Sequence, residues 1–240
     1  MTGQSWVCLA CGRRYADVRT FCGGCWAQGL IVDVGQRLPA AVDREPELTS
    51  ARELARMTWQ TIESRRYPEV KLGRGAFVVA TGAPGNGKSS LAAGLLDGFP
   101  APVLLLSVEE PPGPTLAGRL LRVGVRRDDF GVVGHATVDQ VVDLLRQTKV
   151  AALGIDSIQP SMFTARDVRH LLAVVPTLAV IVATAQVNAD GHIAGVRAVE
   201  HEADVVLDVE AMHWRLRKSR YQETGMEGDV RLARAEGEAA

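Results

Sequence analysis

From residue 76 onward, short aliphatic runs alternate with stretches of helical spacing. The runs FVVATG (77–82), PVLLLSV (102–108), GVVGHA (131–136), VAALGID (150–156) and LAVIVATA (178–185) are six to eight residues long. Their near-continuous apolar character is that of strands buried on both faces. Between them, helical spacing predicts helices from Lys88, over Thr115–Val123, over Val138–Gln147 and over Asp167–Val175. This alternation predicts an α/β fold whose mainly parallel sheet is covered by helices on both sides. Farther along, DVVLDV (204–209), HWRLRKSRY (213–221) and DVRLAR (229–234) follow one another without helices between them. They are expected to add antiparallel strands at one edge.

The first third of the chain has a different texture. Residues 33–49 are polar, carry two prolines and show no sustained period, which reads as a linker. Ser50 and Glu53 have capping-box spacing, and Leu54, Met57 and Ile62 fall at roughly helical intervals up to Tyr67-Pro68, so a linker helix is expected. The organisation read from the pattern is a cysteine module at 1–32, linker and helix at 33–68, an α/β core at 69–234 and a disordered tail at 235–240.

The charge balance narrows the function classes. With 27 Lys or Arg against 28 Asp or Glu, the net charge of -1 excludes a protein that coats nucleic acid by bulk positive charge. A composition that is 47% hydrophobic and 23% charged excludes a wholly disordered chain. No apolar run approaches the roughly 20 residues that span a bilayer, and the N-terminus lacks a signal-peptide core, so a cytoplasmic protein with no membrane partner is expected. The five histidines, at 135, 170, 192, 201 and 213, show no metal spacing. Aromatics at 5% make widespread base stacking unattainable.

All four cysteines lie in the first 25 residues as Cys8-x2-Cys11 and Cys22-x2-Cys25. Two such knuckles aim four thiolates at one point, the spacing of a zinc ribbon with a closed structural Zn²⁺ site. Two disulfides, or a redox Cys-x-x-Cys pair, are the alternatives that a cytosolic setting and the clustering disfavour. Arg13, Arg14 and Arg19 between the knuckles could touch nucleic acid or a partner, or simply be solvated.

The strongest chemical signal is Gly82-Ala83-Pro84-Gly85-Asn86-Gly87-Lys88-Ser89, followed by Ser90, set between an apolar strand and a helix. This is the phosphate-binding loop G-x-x-x-x-G-K-[ST]. Its backbone N–H groups wrap a β-phosphate, Lys88 reaches the β and γ oxygens, and Ser89 offers a hydroxyl to Mg²⁺. ATP and Mg²⁺ are the expected cofactors. The strand ending in Asp156 supplies the acid for the Mg²⁺ water shell. Glu109, with Glu110 as the fallback, ends another strand where a general base for water would stand, although strand-end acids also simply face solvent. Gln186, at the end of a further strand, could sense the γ-phosphate.

Near the C-terminus Arg215, Arg217, Lys218 and Arg220 form a run without acids on a predicted edge strand. Alternation places Lys218 and Arg220 on one face. Two cations so placed could act as an arginine finger on a neighbouring subunit's γ-phosphate, or could be a charged edge that discourages strand pairing. The segments 159–166 and 188–195 follow core strands; with Arg166 and Arg169 nearby they are candidate single-stranded DNA contacts or ordinary connections.

Taken in order, the four-cysteine ribbon, GAPGNGKSS, LLLSVEE, GIDSIQ, ADGHIAGVRAVEHEADVVLDVE and LRKSRY resemble the bacterial RadA (Sms) DNA-repair ATPases, relatives of RecA and of DnaB-type helicases. The resemblance runs from Cys8 to about Leu232. It implies a RecA-like core, ATP hydrolysis in a homo-oligomeric ring or filament, and binding of single-stranded DNA in recombination, repair or replication. It raises the weight of the finger reading for Lys218 and Arg220. Three departures are visible. With about twenty residues after Lys218-Ser219-Arg220, the family's C-terminal Lon-protease-like domain is expected to be missing; Lys218-Ser219-Arg220-Tyr221-Gln222 stands where the family has Lys-Asn-Arg-Phe-Gly; and Ala189 replaces a family lysine, with the segment 68–75 shorter than the family's. The rival expectation is a signalling or assembly ATPase of the KaiC type that binds a protein partner. A module that merely holds its nucleotide is the third, and requires the Glu109 assignment to fail.

Overall fold

The computed structural model describes residues 50–54, 61–187 and 197–233, together with three short backbone segments at 6–8, 14–15 and 31–33. The chain divides into two units, Met1–Met57 and Thr58–Ala240.

In the smaller unit β1 (Trp6–Cys8), β2 (Arg14–Tyr15) and β3 (Ile31–Asp33) form an antiparallel sheet in the order β2-β1-β3. Val7 stands opposite Arg14 on one side and Val32 on the other. Cys11, Cys22, Cys25 and the side chain of Cys8 lie outside the described residues, as do 34–49 and the tail at 235–240. A single helical turn, α1 (Ala51–Leu54), follows.

The larger unit opens with a hairpin of β4 (Thr61–Ser64) and β5 (Tyr67–Gly73), with Ile62 opposite Leu72. This replaces the helix expected up to Tyr67-Pro68. The deciding pattern is a short alternation: Val70 and Leu72 are buried while Lys71 between them faces out, the period of two of a strand. Tyr67 is fully buried, its ring edge-on to Trp214. Ser64 Oγ donates to the Leu95 carbonyl at 2.9 Å, binding the hairpin to the phosphate-loop helix.

The remaining strands are β6 (Ala76–Gly82), β7 (Val103–Ser107), β8 (Phe130–Val133), β9 (Ala152–Asp156), β10 (Val180–Gln186), β11 (Val205–Glu210), β12 (His213–Ser219) and β13 (Glu227–Asp229). They form one eight-stranded sheet in the order β13-β12-β11-β6-β10-β9-β7-β8. Every neighbour pair from β11 to β8 is parallel, and β12 and β13 add antiparallel strands at one edge. The architecture is α/β with a mainly parallel sheet, consistent with a RecA-like core. DVRLAR departs from expectation: pairing ends at Asp229, Val230 is buried, and Arg231 turns its N–H to the Tyr67 hydroxyl at 2.8 Å.

Both faces of the sheet are dry. Val78, Ala80, Leu105 and Val182 pack with α2 (Lys88–Asp97), α3 (Pro114–Val123) and the hairpin, whereas Phe77, Val79, Leu106 and Ile181 pack with α4 (Val138–Thr148), α6 (Ala165–Val174) and α7 (Arg197–Glu202). Thr137 with Gln140, and Thr164 with Asp167, cap α4 and α6 reciprocally, which explains where those helices begin. A short helix, α5 (Ile158–Ser161), follows β9. Among the described residues no helix is long and apolar enough to cross a membrane.

Candidate nucleotide site

The C-terminal ends of β6, β7, β9 and β10 converge on one side of the sheet, where parallel sheets of this kind place their ligands. The loop from Gly82 to Gly87 leaves β6 there and ends at the N-terminus of α2. Its glycines are required. A Cβ on Gly82 would lie 2.2 Å from the Val209 carbonyl oxygen, and Gly85 and Gly87 hold φ of +80° and +100°. Lys88, almost fully buried, turns its ammonium to the Ala83 carbonyl at 2.8 Å, so its Nζ points into the loop it serves. Burial pushes its pKa below the ordinary lysine value, and the carboxylates of Glu109 and Asp156 oppose that shift.

Asp156 is the hub. Its Oδ1 accepts the Ser89 hydroxyl at 2.9 Å and the Thr184 hydroxyl at 2.6 Å, while its Oδ2 accepts Arg119 Nη1 at 3.0 Å. The strand order explains Thr184: β10 lies between the phosphate-loop strand β6 and β9, so its side chain reaches the carboxylate from next door.

Glu109 is exposed at the end of β7. Its Oε1 accepts from Ser157 Oγ and, at 3.1 Å, from Gln186 Nε2. Gln159 and Gln186 are tied in turn, Nε2 of the first donating to the Gln186 carbonyl at 3.0 Å. Glu110, by contrast, is turned back onto Arg119, with Nη2 2.6 Å from Oε2. Geometry therefore separates the two acids. Glu109 faces the open site, and Glu110 is held in an ion pair.

Two clefts border the loop. One, of ≈ 400 Å³, runs past Lys88, Ser89, Arg119 and Arg122 to Met212 and Leu232. The other, of ≈ 800 Å³, lies between Ala83, Val187, Asp208 and Arg215. Glycines held at positive φ in the loop, a lysine ammonium turned to the loop's own Ala83 carbonyl, and a hydroxyl beside a buried carboxylate fit a nucleotide triphosphate with Mg²⁺.

No family model matches the chain. It is 25% identical to the DNA repair protein RadA of Aquifex aeolicus, over 92% of this chain and 56% of that protein. The RadA proteins of Pseudomonas aeruginosa and Bacillus subtilis are 27% and 26% identical, over 95% and 86% of this chain. The chain is similar to RadA. It spans about half the length of the curated relatives it matches.

The Lys218 and Arg220 pair is placed well away from this site. Lys218 Nζ donates to the carbonyls of Glu200 and His201 at 3.0 and 2.9 Å, at the end of α7. Arg220 follows β12; its N–H bonds the Asp204 carbonyl at 3.0 Å and its guanidinium lies 3.3 Å from that carboxylate. Asp204 neighbours Phe77, at the start of β6, five residues and roughly 17 Å of strand from Gly82. A bulge at Val206/Leu207 makes Arg217 the extra residue of β12. Arg217 and Lys218 consequently both reach α7, where strict alternation would have parted them.

Of the candidate DNA segments, 188–195 lies outside the described residues. Segment 159–166 is largely helical rather than an open loop, with Met162 and Arg166 exposed. Arg169 is committed elsewhere: it forks onto the buried Asp204 at 3.1 and 3.2 Å. Ser157, Thr184 and Arg119 contact the candidate site residues, and Asp204 contacts Arg169 and Arg220; pattern reading passed over all four. Thr184 carried a signal, being a polar residue in the otherwise apolar run LAVIVATA, and a buried hydroxyl demands a partner.

Proposed function

We propose that the protein is a Mg²⁺-dependent ATPase acting on single-stranded or branched DNA in repair, recombination or replication. The observation that carries the ATPase reading is Glu109, exposed at the phosphate loop and oriented by Ser157 and Gln186, while Glu110 is paired away. ATP with Mg²⁺ supplies the anhydride to be cleaved and the divalent charge that offsets its phosphates. With these bound, Lys88 would exchange the Ala83 carbonyl for phosphate oxygens, Ser89 and Asp156 would hold the metal and its water shell, and Glu109 would accept a proton from the attacking water. Gln186, whose amide donates to Glu109, would sense the γ-phosphate of a bound nucleotide. The DNA-repair reading rests on the similarity to RadA together with Arg166 and Met162 exposed beyond β9.

ATP turnover measured with and without single-stranded DNA tests both parts. Lys88→Ala is expected to abolish turnover, and Glu109→Gln to bind ATP yet hydrolyse it about 10² to 10⁴ times more slowly. DNA should stimulate turnover at about 50 mM salt and lose its effect near 200 mM. Turnover indifferent to DNA would point instead to a protein-binding ATPase; normal turnover in Glu109→Gln would remove the base assignment.

The proposal includes one structural Zn²⁺ per chain on Cys8, Cys11, Cys22 and Cys25, supported by their spacing. Metal analysis checks it, and four freely titrating thiols in metal-free folded protein would refute it. Assembly into a homo-oligomer, with Lys218 and Arg220 serving a neighbour's site, completes the reading.

A further inference from the structure

Arg119 stands on α3 between two acids that belong to different parts of the site. Its Nη1 donates to Asp156 Oδ2 at 3.0 Å and its Nη2 lies 2.6 Å from Glu110 Oε2. The three side chains are only 26%, 5% and 16% exposed, and Arg119 borders the same cleft as Lys88 and Ser89. Arg122, one turn farther on, borders that cleft too but makes neither contact.

We propose that Arg119 is a positioning residue that exchanges with Mg²⁺ at Asp156. It neutralises the carboxylate when no metal is held, and it withdraws onto Glu110 when metal and nucleotide bind. The inference rests on the nucleotide-site reading above. A carboxylate as buried as Asp156 cannot be left without a compensating charge. Its Oδ1 is saturated by two hydroxyls, which carry no charge, and Oδ2 meets the guanidinium. Mg²⁺ binds through one or two carboxylates and substrate phosphates while keeping several waters. A hydrated metal beside Ser89 therefore draws on the same acceptor capacity that Arg119 uses. The guanidinium has five donors in a fixed fork, so releasing one arm leaves the other on Glu110.

The placement of Glu110 gives this exchange a consequence. It directly follows Glu109, so an arginine shared between Asp156 and Glu110 connects metal occupancy to the segment that carries the base. Before the metal arrives the pairing spans β9 and the end of β7. Afterwards Asp156 is neutralised by metal and Glu110 alone holds the arginine.

The test compares binding of ATP carrying a fluorescent ribose label in excess Mg²⁺ and in EDTA, using the whole chain and the variants Arg119→Met and Glu110→Gln. The quantity read is the preference for the Mg²⁺ form. Arg119→Met leaves Asp156 uncompensated, which repels bare phosphate and attracts metal, so the preference should rise at least about tenfold. Glu110→Gln removes the arm that draws Arg119 away, so the preference should fall. Opposite movements are expected only from exchange. Equal weakening of both nucleotide forms, or an unchanged preference in both variants, would reduce Arg119 to a packing residue and overturn the inference. Absence of labelled-ATP binding by the unaltered protein in either condition would instead overturn the nucleotide reading on which it rests.

Discussion

Thr184 Oγ1 donates to Asp156 Oδ1 at 2.6 Å, joining the C-terminal end of β9 to the adjacent parallel strand β10 through their side chains. Both groups are buried, so the bond is made without competition from water. It leaves Asp156 with one oxygen committed to hydroxyls and the other to a cation.

Thr184→Val keeps the shape of the side chain and removes this donor. A hydrogen bond to a charged group contributes about 1.5–3 kcal/mol, so urea unfolding should show a loss in that range. ATP turnover should fall more at low Mg²⁺ than at saturating Mg²⁺, because the carboxylate is less well oriented for the metal's waters. A variant equal to the parent in stability and Mg²⁺ dependence would show that Asp156 is held without the threonine.

Lys88 gives the site a pH dependence. Burial lowers its pKa below the ordinary 10.5. Between the folded and unfolded values the unfolded chain binds more protons, so the cost of keeping Lys88 charged is fully present below the folded value and is relieved as pH rises through that window. ATP binding has the opposite sign, since phosphates require the ammonium. Affinity for labelled ATP should therefore decline at alkaline pH before 10.5 is reached. Lys88→Arg retains its charge and should lose that decline; the same slope in both proteins would assign it to another group.

The phosphate loop, Asp156 and Glu109 were legible because each is a local string whose meaning depends on a strand just before it. The hairpin at 61–73 was not. Leu54, Met57 and Ile62 imitate a helical period, and only Val70 and Leu72, on either side of the exposed Lys71, show the two-residue alternation. Arg119 lies 37 residues from Asp156 and Asp204 lies 127 from Phe77, so no window of sequence contains either relationship. The edge run 213–220 was legible as charged, but the bulge that redirects Arg217 belongs to strand pairing.

Asp204 is the clearest case of a residue known only from the fold. Its Oδ2 accepts the Phe77 N–H at 2.9 Å and it pairs with both Arg169 and Arg220. Asp204→Asn would leave Arg169 without its main countercharge. Breaking a buried ion pair typically costs 3–5 kcal/mol, and because Arg169 is about a third exposed we expect about 2–4 kcal/mol in chemical denaturation. A cost under about 0.5 kcal/mol, the range of ordinary surface changes, would mean that water replaces the pair.

Arg220 supplies the test of assembly. It is tethered beside Asp204 at the end of the sheet opposite the phosphate loop, and its side chain is 55% exposed. It cannot fold back roughly 17 Å along β6 to serve its own Lys88, so a catalytic role requires a second copy of the chain. Lys88→Ala protomers are inactive at their own loop but keep Arg220; Arg220→Ala protomers keep the loop and lose the finger. Each alone should show little turnover. Mixed at equal amounts, random neighbours pair an intact loop with an intact finger at about one contact in four, so turnover should recover to about a quarter of the parent's. If mixed oligomers are demonstrated and no ratio restores activity, Arg220 acts at no neighbour's site, and its charge serves the edge strand and Asp204 alone.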